Sequence, residues 1–345
     1  MKITLLNSVG ETNSANRPLV DALGRRISYL RLSVTDRCDL RCTYCMHERQ
    51  SFLPKADLLD YREMAQLVDA FIARGVTKLR ITGGEPLVRQ DVIHFLRDLS
   101  TRIAPGQLGE LTLTTNGTQL ARFASDLAQM GIRRINVSLD SLDREKYAHL
   151  TRRDVFPAVI AGIHTALKAG LKIKINTVAL RDQNLEEIPA IIEWAHGLGM
   201  DLSLIEIMPL GEGIAGRVGS YASLADVRSS LEERWSLDPL DDTTGGPSRY
   251  VRVRETAGRL GFITPLSHNF CDSCNRVRVT CTGMLFTCLG HENGIDLKSA
   301  VRSGEAGALE QALDKAMLLK PAAHAFDASS IGTAATQRTM SVTGG

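Results

Sequence analysis

The sequence predicts an α/β fold: six parallel βα units forming a partial (β/α)6 TIM-like barrel, followed by a C-terminal extension of different character. Three observations carry this. Short runs rich in Val, Ile and Leu alternate with amphipathic stretches at the spacing of βα units. Polar motifs follow one strand after another, as they do where a barrel gathers function at the C-terminal ends of its strands. The rhythm stops after Met208, where loops and a second cysteine group begin.

The strands are expected at Ser28–Val34, Val76–Thr82, Glu110–Thr115, Arg134–Leu139, Leu171–Val178 and Leu202–Met208. Between them, Tyr61–Arg74, Gln90–Thr101, Gln119–Met130, Phe156–Lys168 and Leu185–Leu198 carry apolar residues at helical spacing. Gly75, Gly131 and Gly170 stand where helix C-caps are needed. Beyond Met208, the segments Gly211–Gly219 and Leu237–Ser248 read as loops. Tyr250–Val253 and Arg259–Ile263 suit a hairpin, and helices are expected near Ile295–Arg302 and Ala306–Leu319. The chain divides into an N-terminal segment (1–20), the barrel (21–245) and a C-terminal region (246–345).

Composition narrows the function. Forty-one Lys and Arg against thirty-nine Asp and Glu leave a net charge of +2, not the broad positive field of a nucleic-acid binder. The N-terminus turns polar without a signal peptide's apolar core, and no window is long and apolar enough for a membrane span. A cytoplasmic protein is expected, in which closely spaced cysteines are metal ligands sooner than disulfides.

The seven cysteines form two clusters. Cys38, Cys42 and Cys45, in CDLRCTYC, present three thiols, one short of a closed four-ligand site. Either an iron–sulfur cluster with one open iron, or zinc completed by His47 or His291, satisfies that count. Cys271, Cys274 and Cys288 form a second trio, or a quartet if Cys281 joins, with Arg276 and Arg278 projecting together beside it. Two forked guanidiniums suit an anionic or phosphorylated ligand. Gly83-Gly84-Glu85-Pro86 ends the second strand, with glycines that admit close approach to the backbone and a carboxylate able to accept from an amine.

The Cx3CxxC loop followed by GGEP resembles the radical S-adenosylmethionine (SAM) superfamily. With LTTNG, INVSLDSLD, KINTV, CDSCNRVRVT and the terminal Gly-Gly, the chain from Leu19 to Gly345 resembles the GTP 3′,8-cyclase family of molybdenum cofactor biosynthesis. The resemblance implies a radical SAM core with a C-terminal extension carrying a second cluster. It implies two 4Fe-4S clusters, one on Cys38, Cys42 and Cys45 and one on Cys271, Cys274 and Cys288, with Cys281 left over. It places S-adenosylmethionine at Tyr44, Gly83, Gly84, Glu85, Ser138 and Met208. GTP falls at Arg31, Arg80, Thr114, Lys174, Arg276, Val277 and Arg278, and Gly344 and Gly345 form a tail that enters the active site. A 5′-deoxyadenosyl radical would take the ribose 3′ hydrogen, and the carbon radical would attack C8 of guanine. An external electron donor, a downstream cyclic pyranopterin monophosphate synthase and a homodimer are implied as partners.

The sequence departs from the family at Ser203, where an arginine is expected, and at Thr343, where an apolar residue is. It also departs at Asp39 and His47, in place of Asn and Pro. Another radical SAM enzyme with an auxiliary cluster, such as a peptide maturase or a divergent paralogue, and a non-catalytic iron–sulfur or zinc protein are the alternative readings.

Overall fold

All six anticipated strands form: β1 (Tyr29–Ser33), β2 (Lys78–Thr82), β3 (Glu110–Thr115), β4 (Arg134–Ser138), β5 (Lys172–Ala179) and β6 (Asp201–Glu206). The computed structural model describes residues 17–103, 107–211, 217–241, 245–327 and 333–344. Most of the N-terminal segment and Gly345 therefore lie outside the described residues.

Helices α1 (Tyr61–Ala73), α2 (Val92–Ser100), α3 (Leu120–Gln129), α5 (Phe156–Lys168) and α6 (Ile188–Gly197) sit where their apolar spacing places them. The start of α1 is fixed by a capping box, in which the Glu63 N–H donates to Asp60 and the Asp60 N–H donates to Glu63, both at 2.7 Å. Gly75, Gly131 and Gly170 follow their helices at φ 90°, 76° and 83°, the left-handed conformation a C-cap requires.

A further helix, α4 (Arg144–Thr151), went unread because REKYAHLT has too few apolar residues to mark a face. After β6 come α7 (Arg217–Ser220) and α8 (Leu224–Glu232), then β7 (Leu237–Leu240) inside a segment expected to be a loop. Pro239 misled that reading: it is tolerated because β7 is a sheet edge, where a missing N–H goes unused. The anticipated hairpin is β8 (Arg249–Val253) and β9 (Arg259–Ile263). Next come β10 (Arg276–Val279), the three-residue strands β11 (Met284–Phe286) and β12 (Gly294–Asp296), then α9 (Leu297–Ser303), α10 (Ala308–Leu318) and α11 (Met340–Thr343).

Among the described residues the strands make one sheet in the order β12-β11-β10-β1-β2-β3-β4-β5-β6-β9-β8-β7. From β10 through β1–β6 to β9 every neighbour is parallel. The C-terminal region thus adds one parallel strand at each end of the six-strand core. Laid flat, eight strands would span about 34 Å. Yet Arg278 of β10, Arg80 of β2, Ser138 of β4 and Ile263 of β9 line a single cavity, so the sheet curls around it. Its ends carry β8 and β11 and do not pair with each other, leaving an open barrel.

Alternation places one set of side chains in that cavity and the other against the helices. On β1, Arg31 faces inward while Leu30 and Leu32 join the core with Leu79, Ile81 and Phe71. On β10, Arg276 and Arg278 face the cavity, and Val277 is 1% exposed in the core. Of the positions where the resemblance places GTP, Val277 therefore turns its side chain to the core and not to the cavity, as period-two alternation requires. Val277→Ala should lower the unfolding free energy by about 1–3 kcal/mol, the range for trimming a buried aliphatic. A denaturant midpoint equal to wild type would contradict its place in the core.

Candidate active site

Cys38, Cys42 and Cys45 lie on the loop leaving β1 and line the cavity, which encloses about 1390 Å³ including space open to solvent. The loop is pinned from below, the N–H groups of Arg41 and Thr43 donating to the carbonyls of Thr151 and Leu150 at the end of α4, both at 2.9 Å. From the side, Tyr44 donates its phenol to Asp140 at 2.6 Å, and Asp140 also accepts the Val178 N–H at 2.8 Å. The Leu40 N–H and the Asn116 amide approach the Cys38 sulfur at 3.4 and 3.8 Å. Asp39, an anion where the family resemblance leads to Asn, is satisfied by Asn116 and Thr118 at 2.7 and 2.6 Å. Burial pushes the Cys38 and Cys45 thiols up to about 12 and Cys42 well above the ordinary range. Thiolates at such positions need the positive charge of a metal centre beside them, so three of them with N–H donors to sulfur fit an iron–sulfur cluster.

The GGEP turn is welded to the same loop. The Gly84 and Glu85 N–H groups donate to the carbonyls of Thr35 and Arg37, both at 2.8 Å. A Cβ on Gly83 would fall 2.7 Å from the Thr35 carbonyl oxygen, and one on Gly84 2.5 Å from that of Arg37. The glycines therefore admit the protein's own backbone, while their edge lines the cavity. Glu85 differs from expectation. It is fully buried, with its oxygens accepting from the N–H groups of Leu87 and Asn116 and the hydroxyl of Thr115 at 2.9, 2.6 and 2.8 Å, and it does not line the cavity. Burial outweighs those bonds and raises it to about 7. Its task is to tie the turn to the end of β3, not to meet an amine.

The same cavity also has a cationic wall, and strand register makes it so. Arg278, Arg31 and Arg80 are direct partners across β10, β1 and β2. One residue pair below, Arg276, Tyr29 and Lys78 stand abreast in the same way. Burial alone would push the Tyr29 phenol up, but Arg80, Arg31, Lys78 and Arg276 outweigh it and bring it down to about 7. Thr114 accepts from Arg80 at 3.4 Å, and Lys174 donates to the Tyr250 hydroxyl at 3.0 Å. Arg80 Nε and Asn136 Oδ1 are buried without a partner among the described residues, as donors and acceptors waiting for a ligand would be. At Ser203 the family's expected arginine has no room. Its hydroxyl meets that of Ser248 at 3.0 Å, and Gly261 and Tyr250 fill the adjoining space.

The C-terminal tail enters between these cations. The Gly344 carbonyl accepts from Arg278 at 2.6 Å and Arg31 at 3.4 Å. Gly344 has φ 77°, and a Cβ there would lie 2.0 Å from the Thr82 hydroxyl, so glycine alone fits. Thr343 is accommodated within α11, its hydroxyl donating to the Thr339 carbonyl at 3.3 Å.

The second trio stands just behind Arg276, beside the cavity and not in its wall. The His324 N–H donates to the Cys271 sulfur at 3.4 Å and Lys320 donates to that of Cys274 at 3.6 Å. Burial raises the Cys274 thiol, but Arg276 and Lys320 outweigh it and bring it down to about 7. A thiol already poised to ionise fits an anionic ligand set for a cluster. Cys281 is fully buried in the hydrophobic core, away from that role.

Of the other anticipated residues, Tyr44, Ser138 and Met208 line the cavity. Gly345 lies outside the described residues. Tyr29, Asp140 and Lys320 had not been singled out. Tyr29 was within reach, since it stands two residues before Arg31 and so shares its face.

Residues 32–195 match the Radical SAM superfamily and residues 200–326 match Molybdenum Cofactor Synthesis C. A protein of Erythrobacter litoralis (strain HTCC2594) called GTP 3′,8-cyclase is 57% identical over 328 residues, covering 95% of this chain and 98% of that one. One of the same name from Rhodopseudomonas palustris (strain TIE-1) is 54% identical over 334 residues, covering 96% and 97%. Among solved structures, Streptococcus suis SuiB bound to S-adenosylmethionine superposes with a TM-score of 0.56 at 17% identity, over 87% of this chain and 68% of that one. That likeness concerns the fold alone.

The tail's seat yields a test independent of activity. In Gly344→Ala the methyl group has nowhere to go, so amides of the 340–344 segment should exchange hydrogen faster than in wild type. Unchanged exchange would show that the tail is not held as described.

Proposed function

The chain belongs to the GTP 3′,8-cyclase family, and from that premise we propose that its cavity converts GTP to 3′,8-cyclo-7,8-dihydro-GTP in molybdenum cofactor biosynthesis. One observation carries this reading: a loop with three thiols and a wall of buried cations line the same cavity. The first cluster with S-adenosylmethionine would supply hydrogen-abstracting radical chemistry when bound.

The chain's own residues divide the remaining work. Cys38, Cys42 and Cys45 hold the first cluster, and Cys271, Cys274 and Cys288 the second. Tyr44, Gly83, Gly84, Ser138 and Met208 form the S-adenosylmethionine side, with Glu85 and Asp140 fixing the backbone around it. Arg31, Arg80, Lys174, Arg276 and Arg278 receive the triphosphate, whose charge of about −4 calls for several bidentate donors. Val277 contributes there through its backbone, which sets Arg276 and Arg278 on one face. The Gly344 carbonyl, held by Arg31 and Arg278, brings the tail to the edge of that site, where it helps to exclude water.

The reaction takes its electron from a donor outside the chain, and its product passes to cyclic pyranopterin monophosphate synthase. The family resemblance implies a homodimer. Among the described residues no helix is long and apolar enough to cross a membrane. GTP as the substrate is what supports a cytoplasmic location.

Anaerobic incubation of reconstituted protein with dithionite, S-adenosylmethionine and GTP should yield 5′-deoxyadenosine only when GTP is present, together with a cyclised guanosine product. Cys38→Ala should abolish both, and turnover intact in that variant would overturn the first-cluster assignment. Arg276→Ala should weaken GTP binding roughly 10- to 100-fold, the loss expected for one charge-assisted contact, with S-adenosylmethionine binding preserved.

A further inference from the structure

Lys320 follows α10 and turns its side chain inward, where it is 5% exposed. Its ammonium donates to the Cys274 sulfur at 3.6 Å, the Arg276 carbonyl at 3.1 Å and the Thr287 carbonyl at 2.7 Å. Three acceptors meet an ammonium that has three N–H bonds, so each acceptor can take one. The acceptors are not arbitrary. One is a thiol of the second trio, one belongs to the residue that presents a guanidinium to the cavity, and one immediately precedes Cys288.

The segment around Lys320 is itself anchored. Arg25 donates to the carbonyls of Pro321 and Ala322 at 2.6 and 2.9 Å, and to that of Cys271 at 2.9 Å. The Asp21 carboxylate holds Arg25 from the other side at 2.6 Å. Two residues further on, the His324 N–H reaches the Cys271 sulfur at 3.4 Å. Residues 320–324 therefore lie as a strap across the second trio, with one N–H donor on each of two sulfurs and one fixed positive charge.

Resting on the reading that Cys271, Cys274 and Cys288 hold a 4Fe-4S cluster, we infer that Lys320 is a positioning residue for it, setting the cluster's reduction potential and joining it to Arg276. Reduction adds a negative charge to a cluster. A buried cation bonded to a ligating sulfur favours the reduced form and raises the potential, because hydrogen bonds to sulfur and net charge are what set it. The same ammonium holds the Arg276 backbone, so the position of one substrate-facing cation is tied to the cluster beside it.

The test is an EPR-monitored redox titration of the full-length protein carrying both clusters, comparing wild type, Lys320→Met and Lys320→Arg. Added S-adenosylmethionine distinguishes the two signals, since it binds beside the first cluster. In Lys320→Met the second cluster should titrate at a more negative potential, the first should be unmoved, and Lys320→Arg should recover much of the shift. Loss of about four irons from Lys320→Met alone, restored in Lys320→Arg, would support the same role. An unchanged potential and iron content in Lys320→Met would overturn the inference, as would equal iron loss in both variants with the fold intact by circular dichroism. Wild-type protein that binds only about four irons would overturn the two-cluster reading itself, and with it the ground for this one.

Discussion

Parallel register sets Arg278, Arg31 and Arg80 abreast on adjacent strands, about 4.8 Å apart. Like charges in direct cross-strand contact destabilise a sheet, and burial deepens the penalty. Burial together with neighbouring charge pulls Arg31 down to about 10 and Arg278 further. The surroundings compensate piecemeal. The Gly344 carbonyl accepts from two of the three, Thr114 takes the third, and the row below alternates cation with Tyr29. These neutral partners relieve the row without neutralising it, and an anionic substrate completes it.

The rest of the site depends on backbone fit. Gly83, Gly84 and Gly344 each stand where a side chain would strike the main chain or Thr82. GGEP thus locks onto residues 35–37, which lead directly into Cys38. Cluster loop, GGEP turn and tail form a single packed unit, so a change at one alters the geometry offered by the others. The second trio is coupled to this unit through Arg276, whose guanidinium faces the cavity while its carbonyl is held from behind.

Much of this was legible in the sequence because it is periodic or local. Strand–helix alternation located β1 to β6, and strand alternation showed that Arg276 and Arg278 share a face. The same rule applied to Val277 would have placed it in the core, but the family resemblance drew it into the substrate site. What escaped the sequence was long-range or weakly marked. Lys320 is 46 residues from Cys274, and nothing in LKP marks its side chain as buried. Strands β9 and β10 were visible as extended segments, but no crossover helix announces that they join the barrel's two ends. Glu85 sits in a motif that suggests a ligand contact, and only the fold brings Thr115 and Asn116 of the next strand's end to occupy its oxygens. Ser203 was recognised as a departure, while the reason, a corner filled by Ser248, Gly261 and Tyr250, lies in tertiary packing.

The buried row of Arg278, Arg31 and Arg80 calls for a polyphosphate. Thermal unfolding of the cluster-loaded protein with guanosine, GMP or GTP at one fixed concentration measures this directly, since a ligand's stabilisation grows with the logarithm of its concentration over its Kd. Stabilisation should rise with phosphate count, be greatest for GTP and diminish with added salt. If guanosine stabilised the protein as much as GTP, the row would have another purpose and the account would fail.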